Sequence, residues 1–214
     1  MSKKRAAAAA LTIFSLVSAA SAMAAERGFY IGASGGQSSA DYDVDFDLIL
    51  QDVIFPVRSS SVDKEDTGFA VFGGYRFFRY LAVEAGYLDL GKLSYTATGL
   101  PNVAPGPFTL GIDIETKGAT GSVLGSLPLS DRFELFGRAG FLFADTKISA
   151  TFASGGFRDS ASESDNINYA ELGIGAAFDV HDRLTLRLEY RYFEDLDNEE
   201  NSLDYTSLGV VYRL

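Results

Sequence analysis

Residues 184–193 read Leu-Thr-Leu-Arg-Leu-Glu-Tyr-Arg-Tyr-Phe, and this stretch carries the strongest fold signal in the chain. Side chains of an extended strand alternate between two faces. One face therefore carries three Leu and two Tyr, and the other carries Thr185 and the charged Arg187, Glu189 and Arg191. A soluble sheet would bury the apolar face. A membrane barrel would turn that face to lipid and the charged face to its lumen.

The same alternation recurs along the chain and predicts eight strands. They span 28–37, 67–77, 80–90, 113–127, 133–146, 167–180, 184–193 and 203–214. Short turns between them alternate with longer links at 40–66, 91–112, 147–166 and 194–202. Short turns on one side and long loops on the other are typical of up-and-down outer-membrane barrels, whose short turns face the periplasm.

The sizes of the residues on the two faces choose between the soluble and the membrane barrel. An eight-stranded barrel has an interior that side chains just fill, and the many large Leu, Phe and Tyr residues of the apolar face would overfill it. The polar face instead holds small residues beside the charged ones: Gly74, Gly86, Gly140, Gly173, Gly175 and Gly209. The sequence therefore predicts an all-β protein, an eight-stranded antiparallel up-and-down transmembrane β-barrel. The alternative is a secreted, lipocalin-like soluble barrel.

The N-terminus has the pattern of a secretory signal peptide. Lys3, Lys4 and Arg5 precede an apolar run at 6–17, and Ala22-Met-Ala24 supplies a small-residue cleavage site. We therefore predict a signal peptide at 1–24 and an outer-membrane barrel domain at 25–214, with a membrane anchor as the alternative. Removing the three basic residues leaves 15 Lys and Arg against 29 Asp and Glu, a net charge of −14. Such a charge argues against nucleic-acid binding.

Composition also limits the possible chemistry. The chain has no Cys, so it has neither a disulfide nor a thiolate metal site, and His181 is its single His. Barrel enzymes that modify lipid A use His and Ser near the outer leaflet, whereas His181 lies in a predicted periplasmic turn. We expect no catalysis, no cofactor and no bound metal.

Several motifs together resemble a known family. They are Gly28-Phe-Tyr-Ile-Gly-Ala-Ser-Gly-Gly36, Phe72-Gly-Gly-Tyr-Arg-Phe77, Leu81-Ala-Val-Glu-Ala-Gly-Tyr87, Pro128-Leu-Ser-Asp-Arg-Phe133 and Leu188-Glu-Tyr-Arg-Tyr192. With these motifs the chain resembles the OmpA-type eight-stranded outer-membrane barrels. The resemblance implies a monomer in the outer membrane, in contact with its lipid and lipopolysaccharide.

The last strand resembles the segment that the outer-membrane assembly machinery reads. Leu208, Val210, Tyr212 and Leu214 alternate along it, although many such barrels end in Phe rather than Leu. OmpA itself carries a peptidoglycan-binding domain after its barrel. Because this sequence ends at Leu214, we do not expect that role.

The family resemblance also implies inward Glu, Lys and Arg on strands three, four, six and seven. Glu84, Lys117, Glu171 and Arg187 lie on matching strands, and the alternation adds Arg138, Glu189 and Arg191. The two faces of strand four are similar, so Lys117 is placed inward only because it is charged. These residues form either a gate or structural ion pairs. We favour ion pairs because an unpaired buried charge is costly.

The predicted loops are acidic. The first and last contain Asp41, Asp43, Asp45, Asp47, Asp52, Glu194, Asp195, Asp197, Glu199, Glu200 and Asp204. They either bind divalent cations or are simply solvated, and we favour the second. The apolar segment 49–55 is expected either to bind a partner, to rest on lipid, or to form a short helix packed over the barrel mouth. The sequence thus favours a non-enzymatic envelope barrel with an unidentified surface partner, and a narrow pore is the alternative.

Overall fold

The computed structural model of the chain describes residues 27–41, 57–63, 65–99, 108–196 and 202–214. It contains nine strands: β1 (Gly28–Asp41), β2 (Val57–Asp63), β3 (Glu65–Phe78), β4 (Leu81–Gly99), β5 (Phe108–Pro128), β6 (Phe133–Ser154), β7 (Phe157–His181), β8 (Leu184–Asp195) and β9 (Ser202–Arg213). The predicted signal peptide, the segment 49–55 and most acidic residues of the first and last loops lie outside the described residues. Within the described ranges, no helix is long and apolar enough to cross a membrane.

The strands form a closed antiparallel ring. From β3 to β9 each strand pairs with the next along the chain, while β1 pairs with β3 on one side and with β9 on the other, which closes the sheet. β3 pairs with β4 at 81–89, and β2 pairs with β4 at 94–99. β2 and β3 together therefore occupy one strand position of the ring, and we call each such position a stave. The ring therefore has eight staves, and the predicted eight-stranded barrel is confirmed. Closure leaves no unpaired edge in hydrocarbon.

One end of the barrel, which we call the turn end, carries the three predicted short turns. They connect β3 to β4, β5 to β6 and β7 to β8. In the second turn, Leu129 N and Ser130 N donate to the Phe133 carbonyl at 2.9 and 3.1 Å, and Ser130 Oγ accepts from Phe133 N at 3.1 Å. The chain terminus lies at the same end, where Leu214 N donates to the Phe29 carbonyl at 3.0 Å. We call the opposite end the loop end.

The outer surface of the barrel is apolar. Phe29, Ile174 and Leu208 are 65%, 69% and 62% exposed. Other large apolar residues on this surface are Ile31, Phe69, Val71, Val83, Tyr87, Val123, Leu135, Phe141, Phe143, Leu172, Phe178, Leu188 and Val210. The prediction that the large residues point outward is therefore confirmed, and they form the belt that contacts lipid.

The interior contains two separate apolar clusters. The turn-end layer consists of Tyr30, Ala82, Leu124, Phe136, Ala177 and Val211, with Phe72 packed against it. The loop-end layer consists of Ala70, Leu88, Leu90, Leu142, Ala144, Tyr169, Phe193, Leu203 and Tyr205. The two layers fill the lumen at different heights and leave a polar zone between them.

Parts of three predicted long links are instead strand: β2 lies within 40–66, and extensions of β4 to β7 occupy much of 91–112 and 147–166. Residues 91–99 and 108–112 extend β4 and β5, and most of 147–166 extends β6 and β7. Gly155 and Gly156, with φ of 57° and 89°, connect β6 to β7. A two-residue type I′ turn requires positive φ at both positions. The alternation pattern missed these extensions because large apolar residues are a minority in them, separated by Ser, Thr, Ala and charged residues.

The extended strands project beyond the apolar belt. A barrel strand needs about 9–11 residues to cross the hydrocarbon, whereas β7 has 25 residues. In the projecting sheet, Lys92 Nζ lies 2.9 Å from Asp113 Oδ2, and Ser94 Oγ donates to Asp113 Oδ1 at 2.8 Å. These hydrogen bonds, that from Lys92 foremost, hold the pKa of Asp113 below its usual value.

Two glycines on β5 provide a matched test of the packing. A Cβ on the inward Gly118 would lie 2.0 Å from the Phe143 carbonyl oxygen, whereas a Cβ on the outward Gly121 would meet nothing within 4 Å. We expect Gly118→Ala to lower the free energy of unfolding by about 1–3 kcal/mol, as for overpacking of a filled core.

Gly121→Ala should leave stability unchanged or raise it by about 0.4–1 kcal/mol, because it restricts the unfolded chain. The temperature at which the folded band shifts on a denaturing gel measures both effects. Equal shifts for the two variants would contradict the assignment of inner and outer faces.

Candidate functional site

Six charged side chains meet in the polar zone of the lumen, and we call them the lumenal charge network. They are Glu84 on β4, Arg138 on β6, Glu171 on β7, and Arg187, Glu189 and Arg191 on β8. Each is at most 6% exposed. The outward neighbours Leu186 and Leu188 face lipid, so strand alternation alone turns the three charged residues of β8 inward.

Arg138 is the centre of this network because it forms ion pairs with all three carboxylates. Its guanidinium pairs with Glu84. Its Nε lies 2.7 Å from Glu189 Oε1, and its Nη1 lies 3.6 Å from Glu171 Oε1. One side chain therefore links staves β4, β6, β7 and β8 across the lumen.

The other two arginines flank this centre. Arg187 Nη1 lies 2.7 Å from Glu84 Oε1, and Arg191 Nη1 lies 3.3 Å from Glu171 Oε1. Arg187 also lies 5.1 Å from the ring centroid of Phe72, in the turn-end layer, while Arg191 lies 5.0 Å from that of Tyr205, in the loop-end layer. The network thus contacts both apolar layers through cation–π interactions.

Two uncharged hydroxyls complete the network. Tyr30 donates to Glu84 Oε1 at 2.8 Å, and Ser122 donates to Glu171 Oε2 at 2.5 Å. Three arginines face three glutamates, so the network carries no net charge. Among buried side-chain atoms in the described part of the chain, only Ser34 Oγ and the Nε atoms of Arg187 and Arg191 lack a hydrogen-bond partner.

The structure brings together six of the seven predicted lumenal residues. The prediction that Lys117 points inward is wrong. Lys117 is exposed on the outer face, where it pairs in register with Asp89 and Asp145 on the neighbouring strands. This row follows the apolar residues toward the loop end. A charge faces outward at that height because the strand has already left the hydrocarbon.

A second set of ion pairs lies nearer the turn end. Arg76 and Glu134 form a bidentate pair at 2.7 and 2.9 Å. Arg213 Nη2 lies 2.7 Å from Asp179 Oδ1, and Thr185 Oγ1 donates to the same oxygen at 2.5 Å. Strand alternation did not identify Tyr30 and Ser122 as hydrogen-bond partners of the charge network, although each faces inward between outward neighbours.

The described residues contain no recognisable catalytic or metal arrangement. His181 and Ser130 line a cavity of about 540 Å³ at the turn end. Ser130 Oγ accepts hydrogen bonds from the backbone of its own turn, and the side chain of His181 makes no hydrogen bond to a described residue. No group of three or more His, Cys, Asp or Glu within the described ranges is arranged to hold a metal ion.

Three residues of the predicted assembly signal lie on the outer face of β9, and the fourth, Leu214, directly follows the strand. Leu208, Val210, Tyr212 and Leu214 are all exposed. Their role in assembly stays a prediction. The lumenal charge network, by contrast, can stabilise the barrel directly, because its buried ion pairs connect four staves between the two apolar layers.

The chain is similar to known outer-membrane barrels. The family model described as OmpA-like transmembrane domain matches residues 24–214, and no curated protein matches. OprG from Pseudomonas aeruginosa is 12% identical, with a TM-score of 0.51 over 89% of this chain and 98% of that one.

Two further solved structures have lower TM-scores. Ail, the attachment invasion locus protein of Yersinia pestis, is 16% identical with a TM-score of 0.47, over 87% of this chain and 99% of that one. The outer membrane protease OmpT from Escherichia coli is 10% identical with a TM-score of 0.48, over 91% and 99%. At these identities the likeness concerns the fold alone.

Arg138 provides the sharpest test of the network. Arg138→Met leaves three buried carboxylates facing two arginines, and breaking a buried ion pair costs about 3–5 kcal/mol. We expect a loss of that size in the free energy of unfolding, measured by urea denaturation in lipid vesicles.

Lys117→Met is the matched control, because it removes a charge from the exposed outer face and should change stability by about 0.5 kcal/mol or less. If the two substitutions cost the same, the network does not stabilise the barrel.

Proposed function

This chain belongs to the family of OmpA-like transmembrane domains and is an outer-membrane β-barrel. On that premise we propose that it is a non-catalytic barrel with a closed lumen. In this proposal it supports the envelope and presents its loop end to partners outside the cell. The projecting β6–β7 hairpin above the apolar belt is the observation that carries this proposal. Loops and extensions of rigid scaffolds are where binding residues concentrate.

The length of the hairpin supports a role at the surface. β6 and β7 remain paired up to Ser154 and Phe157, far beyond the row of Asp89, Lys117 and Asp145 that follows the apolar residues. This additional length does not anchor the barrel in lipid. A rigid hairpin held out from the membrane is instead suited to contact a partner, with little ordering cost on binding.

The filled lumen favours a closed barrel over the alternative of a narrow pore. Eight staves leave an interior that side chains fill. Here two apolar layers and a neutral network occupy it in succession. An ion crossing this path would have to separate buried ion pairs, which is costly in a medium of low dielectric constant.

The position of the single His supports the proposal that the barrel is non-catalytic. The single His of the chain lies at the turn end, away from the projecting hairpin, and makes no hydrogen bond to Ser130 or Asp179. Asp179 is itself paired with Arg213. The usual nucleophile–base–carboxylate relay is therefore not assembled.

A closed lumen predicts little or no steady ion conductance. In planar bilayers the unmutated protein should show no stable single-channel steps. Arg187→Ala removes a partner of Glu84 and should produce leak current or lower stability, whereas Leu186→Ala on the lipid face should do neither. Large, stable steps from the unmutated protein would instead favour the pore.

The surface role can be tested by shortening the hairpin while keeping the barrel. Ile148 and Glu163 are paired in register, so an Asn-Gly turn can replace 149–162 without shifting the strands. In a strain lacking the protein, the full-length and shortened forms should both restore detergent resistance. Only the full-length form should support adhesion of intact cells to surfaces coated with extracellular-matrix protein.

A control variant replaces only Gly155 and Gly156 by Asn-Gly and so preserves the length of the hairpin. It should behave like the unmutated protein in both assays. Equal adhesion by cells that produce the shortened form would contradict the proposed surface role.

A further inference from the structure

Among the strands that the structure describes, the projecting part of β7 is paired with β6 alone, which leaves it one free edge. β6 pairs with β7 continuously from the turn end to Phe157. On the other side, β8 pairs with β7 from the turn end up to Tyr169, which lies opposite Asp195. One further hydrogen bond, from Leu196 N to the Asn168 carbonyl, is the last contact between these two segments in the described part of the chain. Within the described residues, 157–167 therefore have a strand partner on one side only.

The backbone groups along this edge alternate in direction. Because the Asn168 carbonyl points toward β8, the backbone groups of Ser160, Ser162, Ser164 and Asn166 also point toward the free edge. Their side chains are small, polar and exposed. The edge thus offers a regular row of donors and acceptors with no bulky group beside it. Such an edge is a template for another strand.

The side chains between these positions form an acidic column. Tyr169 faces the barrel interior, so Asp159, Glu163 and Asp165 lie on the same face of β7 by alternation. All three are exposed, and none forms an ion pair within the described part of the chain. Beside them, Ile148 and Phe157 are 46% and 62% exposed.

We propose that the free edge of β7 binds a cationic segment of an extracellular protein as an added β-strand, with Lys or Arg of that segment opposite Asp159, Glu163 and Asp165. This inference rests on the proposed function, because it names the class of partner for the same hairpin. Cross-strand pairs of opposite charge stabilise a sheet, whereas like charges destabilise it. The acidic column therefore favours a basic strand over a second copy of this chain.

Peptide binding to the full-length protein in lipid nanodiscs tests the proposal. The probe is a fluorescent peptide that alternates Lys with Thr and Val, followed by anisotropy. It should bind at least about tenfold more tightly than the same peptide with Glu in place of Lys, because charge complementarity sets partner choice. Methylation of its alternate backbone nitrogens should weaken binding by a similar factor, because strand addition depends on main-chain hydrogen bonds.

Variants of the hairpin separate the acidic column from the edge. The triple variant Asp159→Asn, Glu163→Gln and Asp165→Asn should bind the Lys peptide about tenfold more weakly. Ser162→Pro, which removes one free N–H, should also weaken binding. Asp131→Asn with Asp182→Asn, which removes two exposed carboxylates at the turn end, is the control for loss of surface charge and should bind normally.

The inference is overturned if the methylated Lys peptide binds as tightly as the unmethylated one, or if the triple variant binds the Lys peptide as tightly as the unmutated protein does. It is also overturned if a peptide with the sequence of 157–167 binds more tightly than the Lys peptide, because that result would indicate a second copy of this chain as the partner. These failures are distinct from failure of the proposed function. If adhesion requires the hairpin but peptide binding ignores charge and methylation, only this inference fails. If the shortened form adheres as well as the full-length protein, the proposed function itself fails.

Discussion

The structure depends on charge balance among side chains that are buried in the lumen. Six ionised side chains lie between two apolar layers, and an ion removed from water without a partner costs several kcal/mol. Arg138 meets this constraint by contacting all three glutamates, while Arg187 and Arg191 supply the remaining positive charges. Because these residues come from four staves, neutrality is reached only when those staves are correctly placed relative to one another.

The same constraint explains why the protein is built with its large residues outside. The lumen has to hold long Arg and Glu side chains, so the positions beside them are small. Gly173 is an example, since a Cβ there would lie 3.2 Å from Arg191 Cγ and 3.5 Å from Arg138 Cβ. The bulky Leu, Phe and Ile side chains then face lipid, where their transfer from water is favourable.

Much of this arrangement was predictable from the sequence because strand alternation has a strict period of two. It placed Glu84, Arg138 and Arg187 in the lumen and the large apolar residues outside. Alternation failed for Lys117, where both faces of β5 are alike, and for the projecting hairpin, which has too few large apolar residues to define an apolar face. Contacts such as that of Tyr30 with Glu84 depend on which staves meet across the lumen, and local sequence does not encode that distance.

A double-mutant cycle on Arg138 and Glu189 tests the central claim most directly. Arg138→Met alone leaves the network with one excess negative charge, whereas combining it with Glu189→Gln restores balance, with two arginines facing two glutamates. If charge balance holds the barrel together, the double variant will be more stable to urea than Arg138→Met alone, with a coupling free energy of about 1–3 kcal/mol. If the two losses simply add, the network does not act as a balanced unit and the account is wrong.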